Sequence, residues 1–157
     1  MHSLYGRCKS HERLRSYAAF NKGTRVTMIA AIGPEEVTSA TYGQWHVDGE
    51  IFLGFIRECL VPVLQPDQIV IMDNLSTHKV AGVRELIEST GARLVYLPPY
   101  SPDFSPIELF WSKIKTIIRK YAARTFAELQ KAITMAFKSI NRSDLTGWFE
   151  HCGYNID

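Results

Sequence analysis

The chain has 157 residues, of which 46% are hydrophobic and 22% are charged, a composition typical of one globular domain and not of a disordered chain. Lysine and arginine number 18 against 16 acidic residues, so the net charge is +2, which neither requires nor excludes a nucleic-acid partner. The longest apolar runs are shorter than the ~18–20 residues of a membrane-spanning helix, and the polar, basic start is unlike a signal peptide. We expect one domain, residues 1–157, with 1–23 as a loop or arm and 24–157 as its core.

The first half of the chain predicts a hairpin followed by a helix. Residues 25–32 are rich in β-branched side chains and end at a Gly-Pro turn, and residues 36–42 alternate and are rich in threonine, which indicates two antiparallel strands. Asp48 is typical of a helix N-cap, because apolar residues recur behind it at helical spacing until Pro62.

The second half alternates strands with helices. Residues 68–72 form a short apolar run, typical of a strand buried on both faces. A helix over 79–89, stopped by Gly91, and a strand over 93–97 follow. Three further helices are predicted at 106 to about 123, 125–140 and 143–151. This order favours an α/β layer fold with parallel pairing in the second half.

The cysteines, Cys8, Cys59 and Cys152, are odd in number and widely spaced, a pattern typical of a reducing compartment without disulfides. Cys8 with His11, and His151 with Cys152, are residue types that zinc binds. The two pairs lie at opposite ends of the chain and neither has zinc-finger spacing, so the sequence does not favour a zinc site.

Two carboxylates stand where open α/β sheets place their sites. Asp73 follows the strand predicted at 68–72, and Glu108 lies in the first turn of the helix after the next strand. Carboxylates at neighbouring strand ends can converge on hard divalent cations such as Mg²⁺, which support phosphoryl transfer. Asp73-Asn74 could instead be ordinary turn residues. Ser105-Pro106-Ile107-Glu108 also forms a capping-box motif, and the motif alone favours capping over catalysis.

Basic residues crowd the same helix, at Lys113, Lys115, Arg119 and Lys120. Glu108, Lys115 and Arg119 share a polar stripe, separate from the apolar stripe, that could grip phosphates or could be ordinary solvated surface. His78, five residues after Asp73, could orient a phosphate or a bound water, or could be a surface residue at the start of a helix. Trp111, Trp148 and Phe149 fall on apolar helical stripes and are expected in the core.

Two segments together resemble the mariner superfamily of transposases, with the bacterial insertion-sequence branch most similar in style. They are Ile-Met-Asp73-Asn74-Leu-Ser-Thr-His78 and Leu97-Pro-Pro-Tyr-Ser-Pro-Asp-Phe-Ser-Pro-Ile-Glu108-Leu-Phe-Trp111. The closing His151-Cys-Gly-Tyr154 is also similar to that branch. The resemblance extends from about residue 5 to the end of the chain.

The resemblance implies an RNase H-like (retroviral-integrase-like) three-layer fold, with a mixed sheet and flanking helices. It implies a DNA transposase whose Asp-Asp-Glu triad binds two Mg²⁺ (or Mn²⁺) ions, cleaves transposon ends and transfers the strands into target DNA. Asp73 matches the second carboxylate and Glu108 the third, with Asn74 and His78 as supporting residues, whereas Asp103 matches an Asp that is not a ligand. A homodimer, with itself or the intact transposase, and a bacterial cytoplasmic, nucleoid-associated location are further implications.

The chain departs from the family pattern at its start. The family's first Asp lies on a central strand ahead of the hairpin, and no Asp precedes Asp48 here. We expect that strand to be missing and the chain alone to be inactive, or to need a second piece. Two alternatives stay open: a non-catalytic DNA-binding or regulatory transposase fragment, and another RNase H-like nuclease such as a resolvase.

Overall fold

A computed structural model describes residues 25–156, so the arm predicted at 1–23 and the Cys8–His11 pair lie outside the described residues. The described chain contains strands β1 (Thr27–Ala31), β2 (Ser39–Gly43), β3 (Ile69–Met72) and β4 (Arg93–Tyr96), and helices α1 (Gly49–Phe55), α2 (Val83–Glu88), α3 (Pro106–Tyr121), α4 (Phe126–Lys138) and α5 (Arg142–His151). A π-helical turn (Ile56–Leu60) and a 3-10 turn (Val61–Val63) extend α1, and 3-10 turns also span Ser76–Lys79 and Pro102–Phe104.

The predicted hairpin is confirmed. β1 and β2 pair antiparallel, with Ile29 opposite Thr41. Beyond the hairpin, the Trp45 carbonyl accepts a 2.6 Å hydrogen bond from the Thr27 hydroxyl. The indole of Trp45 lies so close to Gly43 that a Cβ there would stand 2.1 Å from its Nε1. Glycine at this position therefore allows the chain to fold back on the hairpin.

β3 and β4 pair in parallel, as the alternation of strands and helices predicts. Within residues 25–156 they form a two-stranded sheet of their own, and no described strand joins it to the hairpin. Both kinds of pairing in a mixed sheet are thus present, but divided between two small sheets.

Two apolar clusters hold the described elements together. The first lies between α1 with its π turn, α2 and one face of β3 and β4; its buried residues are Phe52, Phe55, Ile56, Leu60, Val83, Ile87, Ala92 and Leu94. The second joins α3, α4 and α5 around Phe110, Ile114 and Ala136. β1 contributes to both, because its side chains alternate: Ile29 and Ala31 pack on the first cluster, and Met28 and Ala30 on the second.

Trp111 and Trp148 pack against the second cluster, as predicted, whereas Phe149 is half-buried and lies in neither cluster. The ring of Phe110 lies 4.8 Å from that of Trp111 and 6.2 Å from that of Trp148, in edge-to-face arrangements that aromatic pairs prefer. Phe149 packs edge-on against Tyr154 at 5.7 Å. These contacts place the C-terminal helix against α3.

Two details of the prediction are wrong. Among the described residues, β3 is buried on one face only, since Ile69 is 51% and Ile71 36% exposed. Its other face, with Val70 and Met72, packs against α1 and α2. The helix predicted from residue 79 begins at Val83, because Gly82 takes a left-handed conformation (φ +95°) that a regular helix cannot include. His78 and Lys79 belong to a separate 3-10 turn.

Polar contacts join α5 to the hairpin turn on one side and to α3 on the other. Arg142 forms an ion pair with Glu35, and the hydroxyl of Thr146 donates a 3.0 Å hydrogen bond to the Pro34 carbonyl. On its other side, Lys113 of α3 forms a partly buried ion pair with Asp144. Asp144 also accepts from the backbone of Asn141, the N-cap of α5. No described helix is long and apolar enough to span a membrane.

Asp144 should make stability depend on pH. Burial by itself raises the pKa of this carboxyl, but the hydrogen bond from Lys113, the hydrogen bond from the Asn141 backbone and the Lys113 charge outweigh it and hold the pKa below its ordinary value. A folded-state pKa below the unfolded value stabilises the fold above the unfolded pKa of about 4. That stabilisation is lost as pH falls through the folded-state pKa.

We therefore expect Asp144→Asn to lower the free energy of unfolding by about 1 kcal/mol at pH 7. The deficit should shrink as the pH falls from about 4 through the folded-state pKa, because the Asp144 carboxyl is then protonated and as uncharged as the asparagine amide. Urea unfolding across that pH range measures this. Asp67→Asn, which removes the same charge from an exposed turn residue, is the matched control. An Asp144→Asn deficit that is constant with pH would contradict the assignment.

Candidate active site

Asp73 lies directly after β3, at the carboxyl end of the parallel pair. Met72 is aligned with Tyr96 of β4, and the next backbone bond, from Leu97 N to Met72 O, is 2.8 Å long. The chain therefore leaves both strands at the same edge, and the segment that leads to Glu108 starts beside Asp73. This is the edge at which open α/β sheets place their ligands.

One oxygen of Asp73 is engaged by its own loop. Oδ1 accepts a 3.2 Å hydrogen bond from the backbone N–H of Leu75 and lies 2.6 Å from Nδ1 of His78. The distance to His78 is short, but Nδ1 has no aligned hydrogen-bond partner among the described residues. The two side chains therefore form a polar contact and not a hydrogen bond. The Asp73 side chain is 45% exposed, and its second oxygen makes no hydrogen bond or ion pair with the described residues.

His78 is held from three sides. Its ring stacks on Phe52 with centroids 4.3 Å apart, its carbonyl accepts a 2.8 Å hydrogen bond from the Tyr96 hydroxyl, and its Nδ1 meets Asp73. Phe52 and Tyr96 were not identified from sequence as supporting residues. No sequence signal distinguishes them, because their partners come from α1 and β4 only after the chain folds.

Asn74, the residue after Asp73, has a side-chain oxygen that is unpaired among the described residues. Its Oδ1 is buried and has no hydrogen-bond partner in the part of the chain that the structure describes. Buried amide oxygens are normally satisfied, and an exception asks for an explanation such as a water or an ion. Carboxylate and amide oxygens are the donors that Mg²⁺ and Mn²⁺ prefer.

Glu108 lies in the first turn of α3 and is exposed. The capping box that its motif favoured does not form: the Ser105 side chain makes no cap hydrogen bond, and Glu108 N donates to the Ser105 carbonyl instead. Within residues 25–156 the Glu108 carboxylate has no hydrogen bond or ion pair. The capping interpretation is therefore wrong, and this carboxylate is open to a ligand. Asp103 lies in the preceding 3-10 turn, as expected.

The four basic residues of α3 divide by helix face. Lys115 and Arg119 are exposed on the side of α3 that carries Glu108, whereas Lys120, also exposed, lies two turns after Lys113 on the neighbouring face. Lys113 is half-buried and turned towards α5, where it pairs with Asp144. The structure therefore gives Lys113 a structural contact that the sequence pattern did not reveal.

The structure brings Asp73 and His78 into contact, but it does not gather Glu108 with them. Among the described residues, no three His, Cys, Asp or Glu side chains form a group that could hold a metal ion. His151 and Cys152, the C-terminal pair of residue types that zinc binds, also belong to no such group among the described residues. Burial, together with the charge of Asp103, raises the pKa of the Cys152 thiol, which disfavours the thiolate that zinc binds.

The geometry can be compared with known proteins. The chain has the fold of the Mos1 Strand Transfer Complex crystal structure, with a TM-score of 0.72 and 17% identity over 94% of this chain and 46% of that one. The Mos1 transposase paired-end complex with left transposon end gives a TM-score of 0.71, also at 17% identity, 94% of this chain and 46% of that one. This chain thus spans less than half of the length of either. No functionally curated protein matches its sequence.

These similarities confirm the RNase H-like fold that the resemblance implied. They do not distinguish the bacterial insertion-sequence branch, which stays a prediction. The sequence itself matches the family described as DDE superfamily endonuclease over residues 2–130. Since that match covers most of the chain, this protein belongs to the DDE superfamily of endonucleases.

Proposed function

We propose that this chain is the catalytic portion of a DNA transposase, which cuts DNA strands and joins them to a target by metal-dependent phosphoryl transfer. The observation that carries the proposal is the state of the two carboxylates. Asp73 is oriented by His78 at the carboxyl edge of β3 and β4, and Glu108 is uncapped and exposed at the start of the next helix. Membership of the endonuclease superfamily and the fold shared with two Mos1 transposase complexes support it.

Membership of this endonuclease superfamily implies that the complete enzyme uses a divalent metal ion. The donors fit one that prefers oxygen: the second oxygen of Asp73, the carboxylate of Glu108 and the buried amide oxygen of Asn74. When bound, such ions lower the pKa of a water or hydroxyl nucleophile and stabilise the leaving oxygen. His78 would fix the side chain of Asp73 so that its free oxygen faces the ion, as partners of metal ligands commonly do.

DNA would lie along α3. Lys115 follows Glu108 by seven residues, or about 10 Å along the helix axis, so a phosphate backbone that reaches the carboxylates can also reach the basic side chains. In this proposal Lys115, Arg119 and Lys120 bind phosphates. Lys113 holds α3 to α5 through Asp144, and its charge contributes little to DNA binding.

We further propose that these 157 residues do not cut DNA by themselves. Two carboxylates without a third hold Mg²⁺ weakly and with poor geometry. The absence of a three-residue metal group from the described residues, and of any Asp before Asp48 in the sequence, supports this. The same observation favours a second candidate, a regulatory fragment that binds DNA and joins the dimer of an intact transposase.

Iron(II), supplied with hydrogen peroxide and ascorbate, can test the metal site without any DNA cleavage. Bound Fe²⁺ reduces the peroxide to hydroxide and a hydroxyl radical, which cuts the polypeptide next to the ion, and ascorbate returns the iron to Fe²⁺. We expect cleavage near both residue 73 and residue 108 if the two carboxylates share an ion. Asp73→Asn or Glu108→Gln should abolish both cuts, and Mg²⁺ should suppress them. Asp67→Asn is the control with the same loss of charge. Cleavage at only one of the two positions would show that the carboxylates do not meet.

Supercoiled plasmid DNA should stay intact with the purified chain in Mg²⁺ or Mn²⁺, since the ligand set is incomplete. The measurement is conversion to nicked circles. Nicking that Asp73→Ala abolishes would overturn the proposed inactivity while supporting the assigned site. DNA binding without any metal-localised cleavage of the polypeptide would favour the regulatory fragment instead.

Removing one phosphate contact should reduce the salt dependence of DNA binding. For Lys115→Ala and for Lys120→Ala we expect weaker binding and a slope of log affinity against log salt that is smaller by about one. Lys131→Ala, on the exposed face of α4, is the matched control. Lys113→Met should leave the slope unchanged and lower stability. Equal slopes for all four variants would contradict DNA binding along α3.

A further inference from the structure

Tyr100 has the most unusual conformation in the described chain. Its φ is +57°, in the left-handed region that bulky residues rarely adopt. The other non-glycine residues with positive φ are Asp67, in a turn, and Ala122, at the C-cap of α3, where such angles are common. Backbone strain of this kind concentrates at ligand-binding sites and persists only where the surroundings enforce it.

The ring of Tyr100 makes no packing contact with the described residues that could offset this backbone strain. Its exposure is 102%, so the side chain projects fully into solvent, whereas tyrosines normally pack much of their ring. Phe104 and Leu75, also exposed, lie on the two segments that lead to and from the carboxylates. An aromatic ring that is fully exposed and packs on nothing in the described residues is available to a ligand.

Tyr100 lies in the connection between β4 and α3, which hydrogen bonds and three prolines restrain. This connection leaves β4 through the Leu97–Met72 hydrogen bond and contains Pro98, Pro99 and Pro102. The Phe104 carbonyl accepts a 2.7 Å hydrogen bond from the Tyr154 hydroxyl. A ring presented by a braced segment loses little freedom when a ligand covers it.

Tyr100 also lies close to the carboxylates along the chain. It comes three residues after Leu97, a distance of at most about 10 Å, and Leu97 is bonded to the residue before Asp73. A ligand for a flat, exposed ring in this position must itself have a flat face, and must tolerate the positive charge of α3. An unstacked nucleobase on an anionic backbone meets both requirements.

We propose that Tyr100 is a DNA-binding residue that stacks on an unpaired base beside the phosphate nearest the carboxylates. The inference rests on the proposed function, because it takes DNA as the substrate. It adds a substrate preference: DNA whose bases are unpaired next to the carboxylates should bind better than a fully paired duplex. The hydroxyl is not required, since stacking uses the face of the ring.

Binding to fluorescent duplexes with a short unpaired tail tests this, with each tail base replaced in turn by an abasic analogue. Tyr100→Ala should weaken binding of the tailed duplex by about tenfold. It should have little effect when one particular tail base is abasic, because ring and base then no longer contribute as a pair. Tyr100→Phe should bind like the original chain. Tyr121→Ala removes another exposed tyrosine, roughly 20 Å along α3 from Glu108, and is the control.

Tyr100→Gly separates a binding role from a structural one. Glycine accepts the left-handed angle, so this variant should unfold at an equal or higher temperature while it loses the preference for tailed DNA. Tyr100 variants that bind every tailed and abasic duplex like the original chain would overturn stacking, yet leave the proposed function intact if the salt dependence through Lys115 and Lys120 is seen. Tyr100 variants that lose self-association but keep base-dependent DNA binding would also overturn stacking. A chain that binds no DNA at all would overturn both.

Discussion

The parallel pairing of β3 with β4 is the constraint on which the candidate site depends. Parallel strands end at the same edge, so the turn after Met72 and the connection after Tyr96 begin side by side. Every residue proposed to act on DNA is placed by that edge or by the helix that follows it. The pairing is itself held by the first apolar cluster, in which Val70, Met72, Leu94 and Tyr96 face α1 and α2.

The turn after β3 shows how packing converts a common motif into an oriented group. Asp-Asn is ordinary turn chemistry, and the Leu75 N–H bond to Asp73 is the usual Asx contact. The position of His78 is less ordinary. Phe52 from α1 and Tyr96 from β4 fix its ring and its carbonyl, and the ring in turn meets Asp73. The carboxylate is thus oriented by two elements that are distant from it in sequence.

The two small sheets differ in how their faces are covered. β1 is packed on both sides by the two clusters. Within residues 25–156, β3 and β4 are covered on one side only, and Ile69, Ile71 and Val95 are exposed on the other. Apolar strand faces and unpaired edges are costly in water. Asp73 and the connection to Glu108 leave the carboxyl ends of these same two strands, so the candidate site adjoins this exposed face.

The sequence by itself determined much about this protein, because local patterns report local forces. Alternation at residues 36–42, the Asp48 cap and the helical stripe around Phe110 correctly predicted the hairpin, the start of α1 and the buried face of α3. The motifs around Asp73 and Glu108 indicated the superfamily, which the family match confirms. Their roles as metal ligands stay predictions.

Only the tertiary structure decided the rest, since these outcomes depend on partners that are remote in the chain. Ser105 and Glu108 have the spacing of a capping box, yet the preceding 3-10 turn leaves the box unformed and Glu108 exposed. Lys113 and Lys115 look alike in sequence, but α5 places Asp144 beside Lys113. A short apolar strand does not reveal whether one or both of its faces are covered, because that depends on which elements pack there, and β3 is covered on one.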